Sequence, residues 1–176
     1  MNKTLVVFYS YSGVCRRAAQ LLASHHGWPL GEIRDARRRS GFRCVLDSMF
    51  RRRPAIRYEG PQPSDFEAVV IVSPIWAYQM AGPMRTSLTQ NAGRLQRVAQ
   101  LTIMNAAGAS NAVAEATRVL GGAPVLTAEF LTREIEDGSG TRRLLAFGDA
   151  LAAASPAQPA PHRAMTEADI SRPLSQ

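Results

Sequence analysis

An α/β fold, with a parallel sheet covered by helices on both faces, is the class that the 176-residue sequence predicts. Three observations carry it. Short apolar runs, led by "TLVVFY" at 4–9 and "AVVIVS" at 68–73, are rich in β-branched and aromatic residues and lack polar alternation, which marks strands covered on both faces. Helical spacing follows the first of them, with Val14, Ala18, Leu21 and Leu22 at i, i+4, i+7 and i+8. Strand and helix then alternate five times, as in crossover connections between parallel strands.

Taken in order, Thr4 to Tyr9 is the first strand and the helix from Val14 ends at Gly27 and Pro29. A weaker strand spans Leu30 to Arg34, and a short helix is expected around Val45 to Phe50. "PQPSD" at 61–65 is a loop. The strand from Ala68 to Ser73 closes in "PIWAYQMAGP", and a helix over Gly82 to Ala92 starts with Pro83 at a first-turn position that tolerates proline. Val98 to Met104 is a strand, "NAAGAS" a loop, and Asn111 to Leu120 a helix stopped by Gly121 and Gly122. "PVLTAEFL" supplies the last strand and Thr141 to Ala153 the last helix. From Ser155 onward the chain is rich in Pro, Ala and polar residues without periodicity, so residues 1–154 read as one domain and 155–176 as a flexible tail.

Composition bounds the function. With 45% hydrophobic and 20% charged residues, the chain is long enough to bury one continuous core. No run approaches eighteen apolar residues and no cleavage-type signal opens the chain, so the expectation is a cytoplasmic protein without a membrane partner. Cys15 and Cys44 lack the spacing of a zinc site or a disulfide framework and are expected to be thiols. His25 and His26 end the first helix and His162 lies in the tail, so no metal site or catalytic histidine is assigned. The net charge is +7, and nine arginines fall between Arg34 and Arg57. Such a patch suits nucleic acid, an anionic membrane or a phosphorylated cofactor, but the first reading is a solvated surface in a chain that uses arginine in place of lysine. Arg37 to Arg39 and Arg51 to Arg53 come with no recognition helix and no interleaved stacking aromatics, so nucleic acid is not the expected partner.

In an open parallel sheet, ligands collect beyond the carboxyl ends of the strands. The loop Ser10 to Cys15 lies there, with backbone N–H groups and the hydroxyls of Ser10 and Ser12 beside a helix N-terminus, an anion site by construction. It has only Gly13 and no lysine, so neither the three-glycine dinucleotide fingerprint nor the Gly-Lys-Ser/Thr phosphate loop is present. A small cysteine phosphatase needs an arginine six residues after its cysteine, where Leu21 stands; a receiver domain needs an aspartate where Ser73 stands.

"TLVVFYSYSGVCRRAAQLLA" and "DFEAVVIVSPIWAYQMAGPMRTSL", with the elements between and after them, resemble the flavodoxin family over roughly residues 3–154. The resemblance implies a three-layer, doubly wound parallel sheet of five strands in the order 2-1-3-4-5, and FMN as cofactor. Its Thr/Ser-x-Thr/Ser-Gly-x-Thr phosphate loop is matched by Ser10, Tyr11, Ser12, Gly13, Val14 and Cys15, with the departures at Val14 and Cys15. The loop that walls the flavin ring is matched by Pro74, Ile75, Trp76, Ala77 and Tyr78, with Trp76 and Tyr78 as aromatic faces. A third loop is matched by Asn105, Ala106 and Gly108 in "NAAGAS". The implied role is flavin redox chemistry, as an oxidoreductase or an electron-transfer protein, with NADPH or a quinone as donor or acceptor and a homodimer as a common assembly; no side-chain acid or base is required. The alternative is a flavodoxin-like binding or regulatory module that has lost tight FMN binding. Cys15, at a helix start near arginines, would favour its thiolate and be reactive, but the first reading is simply a small residue in place of the motif's Thr.

Overall fold

The computed structural model describes residues 4–37, 40–154 and 163–164. The first strand, β1 (Thr4–Tyr9), is buried along its whole length and leads to α1 (Val14–His26). There follow β2 (Leu30–Asp35), α2 (Gly41–Met49), β3 (Ile56–Glu59), a 3-10 turn at Pro63–Asp65, β4 (Ala68–Trp76) and β5 (Gln79–Met80). The rest is α3 (Gly82–Asn91), β6 (Val98–Met104), α4 (Ala109–Leu120), β7 (Leu126–Leu131), α5 (Thr132–Glu136), α6 (Thr141–Ala153) and the two-residue β8 (Arg163–Ala164).

The parallel strands lie in the order β2-β1-β4-β6-β7, the 2-1-3-4-5 arrangement. The sheet is wider than five strands. Antiparallel β3 adds to the β2 edge, the short parallel β8 to the β7 edge, and β5 folds back antiparallel on the end of β4. The expected tail, apart from the 163–164 pairing, lies outside the described residues.

Side-chain alternation along each strand divides the core in two. Val6, Phe8, Val70, Val72, Ala99, Leu101 and Ile103 face α1 and α6, where Ala18, Leu22, Leu144 and Phe147 cover them. Leu5, Val7, Tyr9, Val69, Ile71, Val98 and Met104 face α3 and α4, where Met84, Leu88, Ala112 and Ala116 pack. No helix among the described residues is long and apolar enough to cross a membrane.

Besides the added strands and α5, three segments differ from the sequence reading. β4 runs three residues past Ser73, because Ile75 and Trp76 pair with β5. α2 starts at Gly41 rather than near Val45, capped by Ser40, whose hydroxyl accepts the N–H of Arg43 at 3.4 Å. The loop before β4 contains the 3-10 turn.

One buried ion pair fastens the α3 side. The guanidinium of Arg85 on α3 makes a two-pronged contact with the Glu115 carboxylate on α4, and both side chains are at most 3% exposed. Its other donors reach the carbonyls of Met80 (2.9 Å), Arg52 (3.0 Å) and Asp47 (3.4 Å). All five N–H groups of the guanidinium are thereby used, and one side chain ties α3, α4, β5, α2 and the segment after it together.

Candidate functional site: three loops at the carboxyl ends of β1, β4 and β6

β1 delivers the chain to Ser10, whose Oγ accepts the N–H of Gly13 at 3.1 Å and closes a tight turn. Gly13 has φ +97°, with open space where a side chain would stand, so the demand for glycine is one of backbone conformation. The first intrahelical bond of α1 runs from Arg17 N–H to the Gly13 carbonyl, 3.0 Å. The N–H groups of Val14, Cys15 and Arg16 therefore have no acceptor within the helix, and the first turn holds no acidic residue. This end of α1 is electropositive and lies beside the exposed Ser12.

The Cys15 side chain is buried in the α1 core with Ala18, Ala19 and Leu22, and burial pushes its thiol well above the ordinary value, so the reactive-thiolate reading does not hold. Desolvation outweighs the helix end, and the thiolate is disfavoured. Only the backbone of Cys15 is offered to a ligand.

The second loop is a two-residue hairpin. Trp76 pairs with Gln79 and Ile75 with Met80, so Ala77 and Tyr78 make the turn, with φ of 48° and 61°. Turns of this kind ordinarily carry Asn-Gly, and a non-glycine residue held there costs about 1–2 kcal/mol. Strain of this kind collects at ligand sites. Trp76 is half-buried and met edge-on by Tyr9 (5.9 Å between centroids) and Tyr11 (5.6 Å), while the Tyr9 hydroxyl donates to Asp35 Oδ2 at 2.9 Å. The indole is thus part of a packed aromatic row, and Tyr78, 62% exposed, is the open aromatic face of the hairpin. Ile75 is buried and Pro74 half-buried beneath it.

The third loop is locked to the second. A Cβ on Gly108 (φ +118°) would stand 2.7 Å from both the Tyr78 Cα and the Ile75 Cγ2. Asn111, which the sequence reading did not single out, donates from Nδ2 to the Tyr78 carbonyl at 3.0 Å. Asn105, Ala106 and Ala107 remain exposed.

Two clefts flank these loops. One, about 910 Å3, is lined by Tyr9, Ser10, Tyr11, Arg16 and the end of β2. Arg16 is held there by Glu32, which also takes Arg34 at 3.0 Å. Burial pushes the Glu32 carboxyl up, but the hydrogen bonds and charge of Arg34 and Arg16 outweigh it and hold the group below its ordinary value. Arg16 is therefore committed to a carboxylate. The other cleft, about 390 Å3, lies by Asn105, Ala106, Thr132 and Arg133. His25, His26 and Asp149 cluster at the far end of α1, about 20 Å from its start, with ligand atoms up to 4.8 Å apart. That span exceeds the ~4.2 Å reach of two metal bonds, and His26 is stacked on Trp28 at 4.3 Å.

No protein-family model matches the chain, and no curated protein does. Solved structures do. A flavoprotein from Lactobacillus acidophilus in complex with FMN is 20% identical, with a TM-score of 0.62, covering 79% of this chain and 99% of that one. Flavodoxin 1 from Bacillus cereus is 17% identical, with a TM-score of 0.54, covering 88% and 100%. General stress protein 14 from Treponema denticola, in complex with FMN, is 15% identical, with a TM-score of 0.50, covering 85% and 99%. The likeness is one of fold, and the fold is flavodoxin-like.

Proposed function

We propose that this chain binds FMN across the three loops and serves as an oxidoreductase or electron-transfer protein. The observation that carries the reading is the α1 start: three N–H groups without helical acceptors and an exposed hydroxyl, at the carboxyl end of β1. That two fold neighbours were solved with FMN supports it. The residues fit the group. Val14, Cys15 and Arg16 amides with the Ser12 hydroxyl hold the phosphate, and the locked pair of loops, with Tyr78 outermost, walls the ring. When bound, the flavin supplies the one- or two-electron step. The chain orients it, and NADPH or a quinone is the proposed partner in electron exchange.

The test is flavin fluorescence quenching on titration with FMN and, separately, with riboflavin. FMN is expected to bind, and riboflavin, lacking the phosphate, far more weakly. Ser12→Ala removes one bond to a charged group, ~1.5–3 kcal/mol, and weakens FMN by about 10–100-fold. Ser10→Ala/Ser12→Ala is expected to abolish uptake with an unchanged circular dichroism spectrum. Equal affinities for FMN and riboflavin would place the anchor elsewhere.

A second reading, a module without tight FMN binding, is favoured by one feature. Cys15 turns its side chain into the core, and Ser10, whose Oγ accepts the Gly13 N–H and keeps one proton to donate, is half-buried, so Ser12 is the exposed hydroxyl of the loop. No FMN binding at millimolar ligand would support it.

A further inference from the structure

α2 is amphipathic with its faces reversed. The side packed on the protein carries Cys44, Asp47 and Ser48, and the side turned to solvent carries Phe42, Val45 and Met49 at i, i+3 and i+7, with Phe50 next to them. Phe42 is 74% and Phe50 61% exposed, and four of the seven large hydrophobic residues exposed among those described lie in these nine positions. The cause is the anchor beneath. Arg85 takes the carbonyls of Asp47 and Arg52, and the Asp47 carboxylate faces Arg52 at 3.7 Å, so the end of α2 is fastened to the protein with Asp47 on the packed side. The apolar ridge is what remains outside.

Arginines border the ridge. Arg37, Arg43, Arg52, Arg53 and Arg57 line one cleft of about 630 Å3 on its flank, with Asp47 as the one carboxylate of that lining. The Arg52 guanidinium lies 5.7 Å from the centre of the Phe50 ring. Protruding aromatic and aliphatic tips with cations at their sides match the make-up of helices that lie in the plane of a lipid interface.

We propose that α2 is a membrane-surface docking element, which seats Phe42, Val45, Met49 and Phe50 among the acyl chains of an anionic bilayer while the flanking arginines meet its headgroups. Charge selects this occupant. A second copy of the chain, paired through the same face, would set one arginine cluster against another, with like charges opposed. Nucleic acid would satisfy the arginines and leave the aliphatic tips in water. An anionic lipid surface satisfies both. Since no described helix is long enough to span, the contact is peripheral. It stands independently of any bound flavin.

The test is co-sedimentation of the full chain with vesicles of phosphatidylcholine alone and of phosphatidylcholine with phosphatidylglycerol at 3:1. Binding is expected to the anionic vesicles, to weaken at 0.5 M salt, and to be slight on phosphatidylcholine. Arg43→Gln/Arg53→Gln/Arg57→Gln removes three cations; at ~1 kcal/mol each, partition falls about 100-fold. Phe42→Ser/Met49→Ser/Phe50→Ser, all at exposed positions, lowers it at least 10-fold with an unchanged circular dichroism spectrum. The proposal is overturned if neither vesicle retains the chain, or if the serine variant binds as well as the parent. A dimer in lipid-free sedimentation equilibrium that the serine variant abolishes would overturn it in favour of a second copy.

Discussion

Arg85→Met removes the cation at the centre of the α3 anchor and leaves two kinds of group without it, a carboxylate and backbone carbonyls. Glu115 keeps a carboxylate that is 3% exposed, and the carbonyls of Met80 and Arg52 lose partners at 2.9 and 3.0 Å. Breaking a buried pair from one side costs ~3–5 kcal/mol. Against a total stability of about 5–15 kcal/mol this is a large fraction. For a chain of this size it corresponds to a fall in Tm of roughly 6–20 °C, at 2–4 °C per kcal/mol. Arg85→Met/Glu115→Leu removes the stranded charge and is expected to recover part of the loss; the carbonyls, at ~1–3 kcal/mol each, keep it below the parent. Urea unfolding of the parent and both variants measures this. Because Arg85 also holds the end of α2, trypsin should cut after Arg51 and Arg52 faster in Arg85→Met. A single variant within 1 kcal/mol of the parent, or a double variant less stable than the single, would refute the account of the pair as a closed network.

Gly108→Ala puts a methyl group within 2.7 Å of the Tyr78 backbone at φ +118°, so it is expected to cost more than 1 kcal/mol and to weaken FMN quenching; a thermal shift under 1 °C would contradict the loop lock. Ala77→Asn/Tyr78→Gly supplies the residues that a turn with two positive φ angles prefers and should stabilise the chain by about 1 kcal/mol in urea while weakening FMN several-fold; lower stability would show that the turn is not strained. Burial pushes the Tyr58 hydroxyl, which donates to the Pro61 carbonyl, up to about 12 from 10.0. The unfolded chain then loses that proton first, so the contribution is intact below pH 10 and is lost as pH rises towards 12; Tyr58→Phe should flatten this limb of the stability profile, and an unaltered slope would dismiss it.

Where hydrophobic pattern decides structure, the sequence was legible. β1, β6 and α6 fall on the residues expected, because each is an apolar run or stripe bounded by glycine or polar residues. β5 was not readable, since Ala77-Tyr78 carries none of the Asn-Gly chemistry that announces a two-residue turn. β3 and α5 are too short to show a period: β3 is fixed by pairing with β2, and α5 by Glu134 accepting the Leu131 N–H at 2.6 Å. In the candidate site, the loop from Ser10 to Gly13 follows β1 and precedes α1, as the strand and helix patterns predict. The position of Cys15's thiol depends on which way a side chain at a helix start rotates, and that is set by tertiary packing. The Arg85 to Glu115 pair joins residues thirty apart on different helices, with no local signal. The arginine segment was visible as charge, and an absence of membrane contact was the expectation. What it lacked was the register of α2, which only the anchor beneath decides.

The contact between Gly108 and the main chain of Tyr78 has an evolutionary corollary. Two segments thirty residues apart occupy the same few ångströms, so neither can drift alone. Among descendants of this chain, a larger residue at 108 should arrive together with a longer or re-angled connection between Trp76 and Gln79, and the pair should be inherited as one character.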